Sequence, residues 1–338
     1  MNPLVSILIP AYNAGPWIAD TLQSAQRQTW PHKEIIVVDD GSTDNTLAIA
    51  RQFSSAEVTV VTQKNSGASA ARNRAFSLSK GDFIQWLDAD DLLAPDKISR
   101  QMDAIEKVAD PRTLVSSEWG SFMFRPRRAE FCATPLWADQ MPLDWLLHKM
   151  GENLHMQPAT WLVSRELTLA AGPWDTRLSL DDDGEYFCRV LLASRGVRFV
   201  PGAKSFYRMS GFSSLSIVDR SDKKLASLWL SMQLHIGYLR GLEDSGRSRD
   251  ACVTYLGNWL PSFFPARPDL IAQAQQLAAT LGGHLEAPTV RRKYRWMERI
   301  FGRTTANRAQ VILPNLKTAL RRSWDKAMFQ LEGRKALN

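Results

Sequence analysis

The sequence of 338 residues predicts an α/β protein with a mostly parallel sheet that is covered by helices on both faces. Short β-branched runs alternate with helical stretches in the first hundred positions, a pattern typical of βαβ units. Polar motifs follow three of the predicted strands, at the edge where open parallel sheets bind their ligands. A helical region with a 3.6-residue apolar rhythm ends the chain.

Four early strands are predicted because each is a short apolar run that ends at Pro, Asp or another turn residue. They span residues 5–9, 34–38, 58–61 and 83–87. The helices between them are expected at 16–28, which has Pro16 in its first turn, at 43–53, which Ser42 or Thr43 would cap, and at Ala-rich 68–78. Later elements are predicted as strands at 160–163 and 197–200 and as a helix at 184–193.

Composition bounds the domain organisation and the compartment. With 44% hydrophobic residues, the chain can bury a large core, and we expect a domain at 1–215 and a helical region at 222–338. Its three widely spaced cysteines predict neither a disulfide framework nor a zinc site. The first residues lack a basic segment followed by an apolar one, and no apolar run is long enough to span a bilayer. We therefore expect a cytoplasmic protein, for which a peripheral place at the inner face of the cell membrane stays open.

Asp88 and Asp90 follow the predicted strand at 83–87 directly. Unpaired charge is unfavourable inside a strand, so carboxylates at its end need a partner. Their spacing would let one Mg²⁺ or Mn²⁺ ion reach an oxygen of either or both, and such hard cations prefer oxygen ligands. The alternative is that these aspartates start a turn or cap the helix that follows Pro95.

The usual nucleotide-binding loops are missing from the sequence. There is no GxxxxGK[ST] motif, and the first strand is followed by Pro-Ala-Tyr-Asn and not by GxGxxG. A nucleotide would therefore be held by a metal ion and side chains. Asp39 or Asp40 could accept a hydrogen bond from a base or ribose, although acids also favour helix N-termini. Other candidates for contacts to a base or to phosphates, each of which could also be an ordinary surface or turn residue, are Tyr12, Lys64, Gly67 and Arg72.

A second acidic cluster consists of Asp181, Asp182, Asp183 and Glu185. Three adjacent carboxylates exceed what capping a helix requires. Their repulsion would raise the pKa of one of them, as a general base needs. The alternative is a solvated acidic loop.

Acceptor contacts are expected beside this cluster. Trp161 and Gln157 precede or begin a predicted strand, and an aromatic ring can pack on the apolar face of a sugar. Most tryptophans in a chain that has 12 of them nevertheless belong to the core. We also assign Asp182 and Glu185 to the acceptor side.

Together these motifs resemble those of the family 2 glycosyltransferases, which have the GT-A fold. The similar stretches occur in the expected order and are VSILIPAYN at 5–13, IIVVDDGSTD at 35–44, NSG to ARN at 65–73, DADD at 88–91 and DDGE to Arg at 182–189. The resemblance covers residues 1–215, and 222–338 carry no part of it. Asp182 departs from the family, which more often has Glu there.

The resemblance implies an inverting enzyme that moves a sugar from a nucleotide-diphosphate sugar, with a UDP-sugar expected first, to a glycan or lipid-linked hydroxyl. Such an enzyme would serve the synthesis of cell-surface polysaccharide or glycolipid, and no nucleic acid would be involved. By the same likeness Asp183 is the catalytic base, and Asp88 and Asp90 hold Mn²⁺ or Mg²⁺ on the diphosphate. The implied nucleotide contacts are Pro10, Tyr12, Asn13, Asp39 or Asp40, Lys64, Gly67, Arg72 and Asp88.

Two other classes of protein remain as alternatives. A sugar-nucleotide pyrophosphorylase should have a Gly-rich phosphate loop after its first strand, which this chain lacks. A non-catalytic nucleotide-sugar-binding subunit of a membrane-associated glycan assembly complex would explain a basic tail. It would not explain two intact acidic clusters.

The basic tail spans residues 288–338 and has 13 Lys and Arg against 3 Asp and Glu, which gives it a charge of +10. The whole chain has a net charge of +7, so the remaining residues carry −3. Apolar stripes predict two helices, one through Val290, Tyr294, Met297 and Phe301 and one through Leu316, Leu320, Trp324, Met328 and Leu331. Basic residues flank both stripes, so the tail could lie on an anionic membrane surface. Alternatively, both stripes pack on the body or on another subunit.

Overall fold

Two sheets organise the described part of the chain. The computed structural model describes residues 2–209, 221–286 and 295–335. Its strands are β1 Val5–Ala11, β2 Lys33–Asp39, β3 Val58–Thr62, β4 Phe83–Trp86, β5 Leu92–Leu93, β6 Thr113–Phe122, β7 Glu130–Phe131, β8 Val163–Ser164 and β9 Gly196–Arg208. The first sheet has the order β3-β2-β1-β4-β8 and is parallel except for β8, and the second has the order β5-β9-β6-β7.

Helices cover both faces of the first sheet, so the predicted α/β class is confirmed. The helices are α1 Ile18–Gln26, α2 Thr46–Arg51, α3 Ala68–Leu78, α4 Lys97–Val108, α5 Pro142–Gly151, α6 Arg165–Ala171, α7 Asp182–Ala193, α8 Asp222–Leu242, α9 Gly246–Phe263, α10 Pro268–Thr280 and α11 Arg295–Lys335. Successive strand residues alternate between two cores. In β1, Ile7 and Ile9 face one apolar cluster and Leu8 faces the other.

The ends of β1, β2 and β4 meet at one edge of the sheet. Ala11 is level with Asp39, and Leu8 is level with Trp86. β1 continues through Pro10, although that proline was expected to end it. The backbone of Leu8 faces β4, since its carbonyl accepts from Leu87, and Pro10 faces the same side just beyond the end of β4. The missing N–H of Pro10 therefore removes no ladder hydrogen bond.

Two local predictions were wrong. Helix α2 begins at Thr46, because Ser42 and Thr43 do not cap it and hydrogen-bond to Asn13 instead. The strand expected at 160–163 is a 3₁₀ turn, Pro158–Thr160, followed by the two-residue β8. Proline at the first position of the turn suits its fixed φ and leaves no N–H to satisfy.

The helical region shares a core with the sheet. Leu225, Leu228 and Met232 of α8 lie in the same apolar cluster as Leu8 and Trp86. The predicted apolar rhythm of α8 is confirmed, since these residues are buried. The division of the chain into two domains stays a prediction.

Helix α11 contains a break at Gly302, whose φ of 79° lies in the left-handed region that favours glycine. Val290 and Tyr294 of the first predicted stripe lie outside the described residues. Within the described ranges, no helix combines the length and apolarity needed to cross a bilayer.

Candidate functional site

The loop after β1 forms one wall of the candidate site. Tyr12 follows the strand and is 51% exposed, so its ring is available for stacking. Asn13 adopts a left-handed φ of 49° and accepts a hydrogen bond from the Thr43 amide at 2.9 Å. These contacts tie the β1 loop to the loop after β2. Pro10 precedes this loop at the sheet edge and is half-buried.

The two adjacent aspartates after β2 have different environments. Asp40 is fully engaged, because its carboxylate accepts from the Gln63 side chain and from the amides of Ser66 and Gly67 at 2.7–2.9 Å. Asp39 accepts from Thr62 through Oδ2 only, and its buried Oδ1 lacks a hydrogen-bond partner among the described residues. Buried acceptors normally have a hydrogen-bond partner, so Asp39 Oδ1 is the better candidate to accept a hydrogen bond from a ligand.

Gly67 and Lys64 lie on the loop that Asp40 holds. Gly67 has a φ of 93°, and a Cβ there would meet nothing within 4 Å, so the backbone is open to a ligand. Lys64 is exposed beside it. A positively charged side chain next to an open backbone suits a phosphate group.

Arg72 joins the two acidic clusters. This α3 residue is buried, with one guanidinium nitrogen 2.8 Å from Asp88 Oδ1 and another 2.7 Å from Asp182 Oδ2. Its guanidinium also lies over the Trp174 ring, 4.3 Å from the centroid. Burial alone would lower the Arg72 pKa, but the carboxylates of Asp88 and Asp182 raise it above its usual value. The two clusters therefore form one site around a permanent positive charge.

The backbone around Asp90 is held from β9. Arg208 donates from its side chain to the Asp90 carbonyl at 2.7 Å and from its amide to Asp91 Oδ1 at 2.8 Å. Its guanidinium packs between the rings of Trp17 and Phe122. Asp91 is buried and has this structural role, whereas Asp88 and Asp90 keep part of their surface exposed.

The donor set after β4 fits a hard cation. Asp88 and Asp90 supply partly exposed carboxylate oxygens at the end of a strand, the ligand type that Mg²⁺ and Mn²⁺ prefer. Within the described residues, no three His, Cys, Asp or Glu side chains group closely enough to hold an ion by themselves. A cation here would need oxygens from a ligand as well, as Mg²⁺ commonly takes from phosphates.

Asp183 as a residue is partly exposed, and its carboxyl group has a strongly shifted pKa. Burial of its carboxyl, followed by the charges of Asp182 and Asp181, raises the pKa of Asp183 from 3.8 to about 7. Arg72 acts in the opposite direction. A carboxyl group with a pKa near neutrality can exchange a proton at physiological pH, as a general base must.

Two predicted acceptor contacts are corrected by the structure. Trp161 is 1% exposed and packs against the rings of Trp145 and Phe187, so it belongs to the core. Glu185 is also buried, and its carboxylate is held by Arg189. Both side chains are engaged by other protein groups, so neither is kept as a proposed acceptor contact. Gln157 stays partly exposed, and Asp182 lies at the site through Arg72.

Several residues near the site were not found from the sequence. Arg208 and the α8 residues Ser231 and Tyr238 contact the acidic clusters across long sequence separations. The ring of Trp119 packs against those of His155 and Tyr207, with centroids 5.3 and 6.1 Å apart. The sequence held no signal for these groupings, which the β6–β9 pairing and the packing of α8 create.

Comparison with known proteins agrees with this geometry. Residues 6–161 match the profile of Glycosyl transferase family 2. TuaG of Bacillus subtilis strain 168, a glycosyltransferase assigned to teichuronic acid biosynthesis, is 41% identical over 30% of this chain and 42% of its own length. Chondroitin synthase of Escherichia coli is 42% identical over 31% of this chain and 16% of its own length. The chain thus spans less than half the length of these relatives.

The fold matches solved structures over more of the chain. S. aureus TarS 1–349, in complex with UDP, superposes with a TM-score of 0.60 at 15% identity over 90% of each chain. The fold and the strand-end motifs define a GT-A protein with a helical C-terminal extension. Residues 6–161 of this protein carry the match to the glycosyl transferase family 2 model.

Proposed function

We propose that the chain is an inverting glycosyltransferase that moves a sugar from a nucleotide-diphosphate sugar to a hydroxyl acceptor. The observation that carries this proposal is the bridge from Asp88 through Arg72 to Asp182, which brings a metal-type carboxylate close to Asp182, the neighbour of the candidate base Asp183. The match to the family model supports it, as do relatives whose names place them in polysaccharide synthesis.

The donor nucleotide would bind at the ends of β1 and β2. Tyr12 would stack on the base, and Asp39 Oδ1 would accept an N–H of that base. Uracil has such an N–H, and TarS binds UDP and UDP-GlcNAc at the same fold, so a UDP-sugar is the first donor to test. Lys64, Arg72 and the backbone at Gly67 would face the phosphates, with Pro10 and Asn13 shaping the loop.

Asp88 and Asp90 would hold Mn²⁺ or Mg²⁺ on the diphosphate. When bound, the cation neutralises charge on the departing diphosphate. Arg72 supplies a second, permanent positive charge beside the same group, because its partners hold it protonated.

Asp183 would remove the proton of the acceptor hydroxyl. As the O–H bond breaks toward the Asp183 carboxylate, the acceptor oxygen forms a bond to the anomeric carbon, and the bond from that carbon to the diphosphate oxygen breaks. One displacement inverts the anomeric carbon, so no protein nucleophile is needed. Asp182 and Gln157 would lie on the acceptor side of this arrangement.

The exposed face of the tail supports the proposal that the acceptor is located at a membrane. Asp325 and Glu332 of α11 pair with Arg125 of the body at 2.7–2.9 Å, so this face of the helix lies against the body. The outward face has Leu320 and Trp324, which are 65% and 69% exposed. Basic residues lie beside them, and an apolar face with a basic border suits an anionic bilayer. A lipid-linked or cell-surface glycan is therefore the proposed acceptor class.

Titration and product analysis test the proposal on the full chain. UDP binding would be measured by calorimetry with and without Mn²⁺, and a panel of UDP-sugars would be screened by thermal shift and then assayed for sugar release or transfer. NMR of the product's anomeric proton distinguishes inversion from retention. Binding without turnover would favour the non-catalytic subunit, and pyrophosphate-dependent exchange would favour the pyrophosphorylase.

A further inference from the structure

Helix α8 presents a polar stripe to the acidic cluster at the start of α7. The stripe consists of Ser227, Ser231, His235 and Tyr238, which recur at helical spacing on one face. Ser227 Oγ accepts from the amides of Ser179 and Leu180 at 2.8 and 3.1 Å. The chain that leads into the cluster is thus fixed to α8.

The next contact holds Asp181, the residue before α7. Ser231 Oγ donates to Asp181 Oδ2 at 2.9 Å, and His235 Nδ1 lies 3.7 Å from the same oxygen. Asp181 has a left-handed φ of 58°, which a non-glycine residue adopts only when its surroundings fix it. A Cβ at Gly184 would lie 2.1 Å from Asp181 Oδ1, so this carboxylate folds over the helix start in the space that glycine leaves.

A third contact fixes the other side of the cluster. The Tyr238 hydroxyl donates to Glu185 Oε1 at 2.6 Å, and Arg189 holds both oxygens of Glu185 at 2.7–2.9 Å. Asp182 and Asp183 lie between Asp181 and Glu185, so α8 holds the residues on both sides of them.

We infer that Ser231 and Tyr238 of helix α8 are positioning residues for Asp183, and that the helical extension thereby completes the active site. This inference rests on the proposed function, because it assigns Asp183 the role of base. Neither residue is assigned a contact with substrate. They act by fixing the backbone and the neighbouring charges from which the Asp183 carboxylate projects.

Hydrogen-bond deletions that keep the packing test this role. Ser231→Ala and Tyr238→Phe should each lower kcat about tenfold with the donor KM unchanged, because small displacements of a catalytic group reduce turnover strongly. Ser248→Ala is the matched control. Ser248 is a buried, hydrogen-bonded serine of the neighbouring α9, and none of its contacts reaches the acidic cluster. The control should lose comparable thermal stability and keep kcat.

Hydrogen exchange of residues 179–189 gives a readout that does not depend on activity. Exchange should be faster in Ser231→Ala than in the wild type and unchanged in Ser248→Ala, while UDP affinity stays the same in all three. Unchanged exchange, or a kcat that falls no further than in the control, would overturn the inference. An inactive wild-type chain would instead overturn the proposed function, and exchange would still decide whether α8 fixes this segment.

Discussion

The two acidic clusters differ in how the chain builds them. Asp88–Asp91 follows a buried parallel strand, and its place at the sheet edge is set by the pairing of β1 with β4. The cluster at 181–185 starts a helix, and α8, about 50 residues further along the chain, holds it through side-chain hydrogen bonds. The first cluster is therefore a product of sheet topology and the second a product of tertiary packing. Arg72 is the one residue described above that contacts both.

The largest expected effect comes from the first cluster. Asp90→Asn should reduce transfer by ~10³-fold or more, since it removes a charged ligand from a cation that contributes several kcal/mol. Asp88→Asn should do the same and also release one partner of Arg72. Turnover and Mn²⁺-dependent UDP affinity are the measurements.

Asp96→Asn is the control for this pair, since Asp96 is an exposed carboxylate that pairs with Arg100. If UDP affinity in Asp88→Asn and Asp90→Asn kept its full metal dependence, the cation role of the first cluster would be rejected.

The second cluster should give the next largest effect. Asp183→Asn should lower turnover by ~10²–10⁴-fold, the usual range for loss of a general base. UDP affinity should be nearly retained, because the donor lies at the strand ends. Near-normal turnover would show that the second cluster has a structural role and that Asp183 is not the general base.

The pKa of Asp183 predicts opposite trends for activity and stability. Turnover should fall about tenfold per pH unit below about 7, because a base must be deprotonated. Stability should run the other way. The folded pKa is raised above 3.8, so the folded state binds more protons and loses stability as pH rises from about 4 to about 7.

Asp183→Asn removes that titration and checks the sign. Thermal unfolding of the variant and the wild type should coincide near pH 4, and the variant should be more stable at about pH 8. A variant that is less stable at about pH 8 would mean that the native surroundings favour the charged carboxylate.

Sequence reasoning succeeded where signals are local. Helix 68–78 was predicted with the bounds that α3 has, and the strand-end positions of Asp39 and Asp88 followed from apolar runs that stop at carboxylates. It did not resolve Asp39 from Asp40, because that difference depends on amides of a later loop.

Tertiary packing explains what the sequence could not reveal. Trp161 looked suitable for a sugar, but rings from α5 and α7 enclose it. The serines and tyrosine of α8 look like ordinary helix residues, and only their approach to the start of α7 gives them partners.

Base recognition should have a smaller effect and separates the two aspartates after β2. Asp39→Asn should weaken UDP binding about tenfold, a typical cost of one hydrogen bond to a charged group. Its thermal stability should change little, since Oδ1 has no partner among the described residues. Asp40→Asn should chiefly lower stability, because three donors converge on its carboxylate. The reverse pattern in calorimetry and thermal unfolding would exchange the two roles.

The smallest expected effect comes from changes in the tail, which contacts the body beside the first cluster. A substitution on the exposed face of the tail leaves the residues of both clusters unchanged. Arg322 donates to the Met209 carbonyl at 2.9 Å, next to Arg208, so α11 and Asp90 are linked through β9.

Trp324→Glu in the full chain should lower binding to vesicles rich in anionic lipid several-fold at low salt, since one charge near such a surface contributes about 1 kcal/mol. Leu169→Glu, a 63% exposed leucine of α6, is the control and should bind like the wild type. Transfer to a soluble acceptor should be equal in all three proteins. Equal vesicle binding by the two variants, or none by the wild type, would make the exposed stripe of α11 a packing or oligomerisation surface instead.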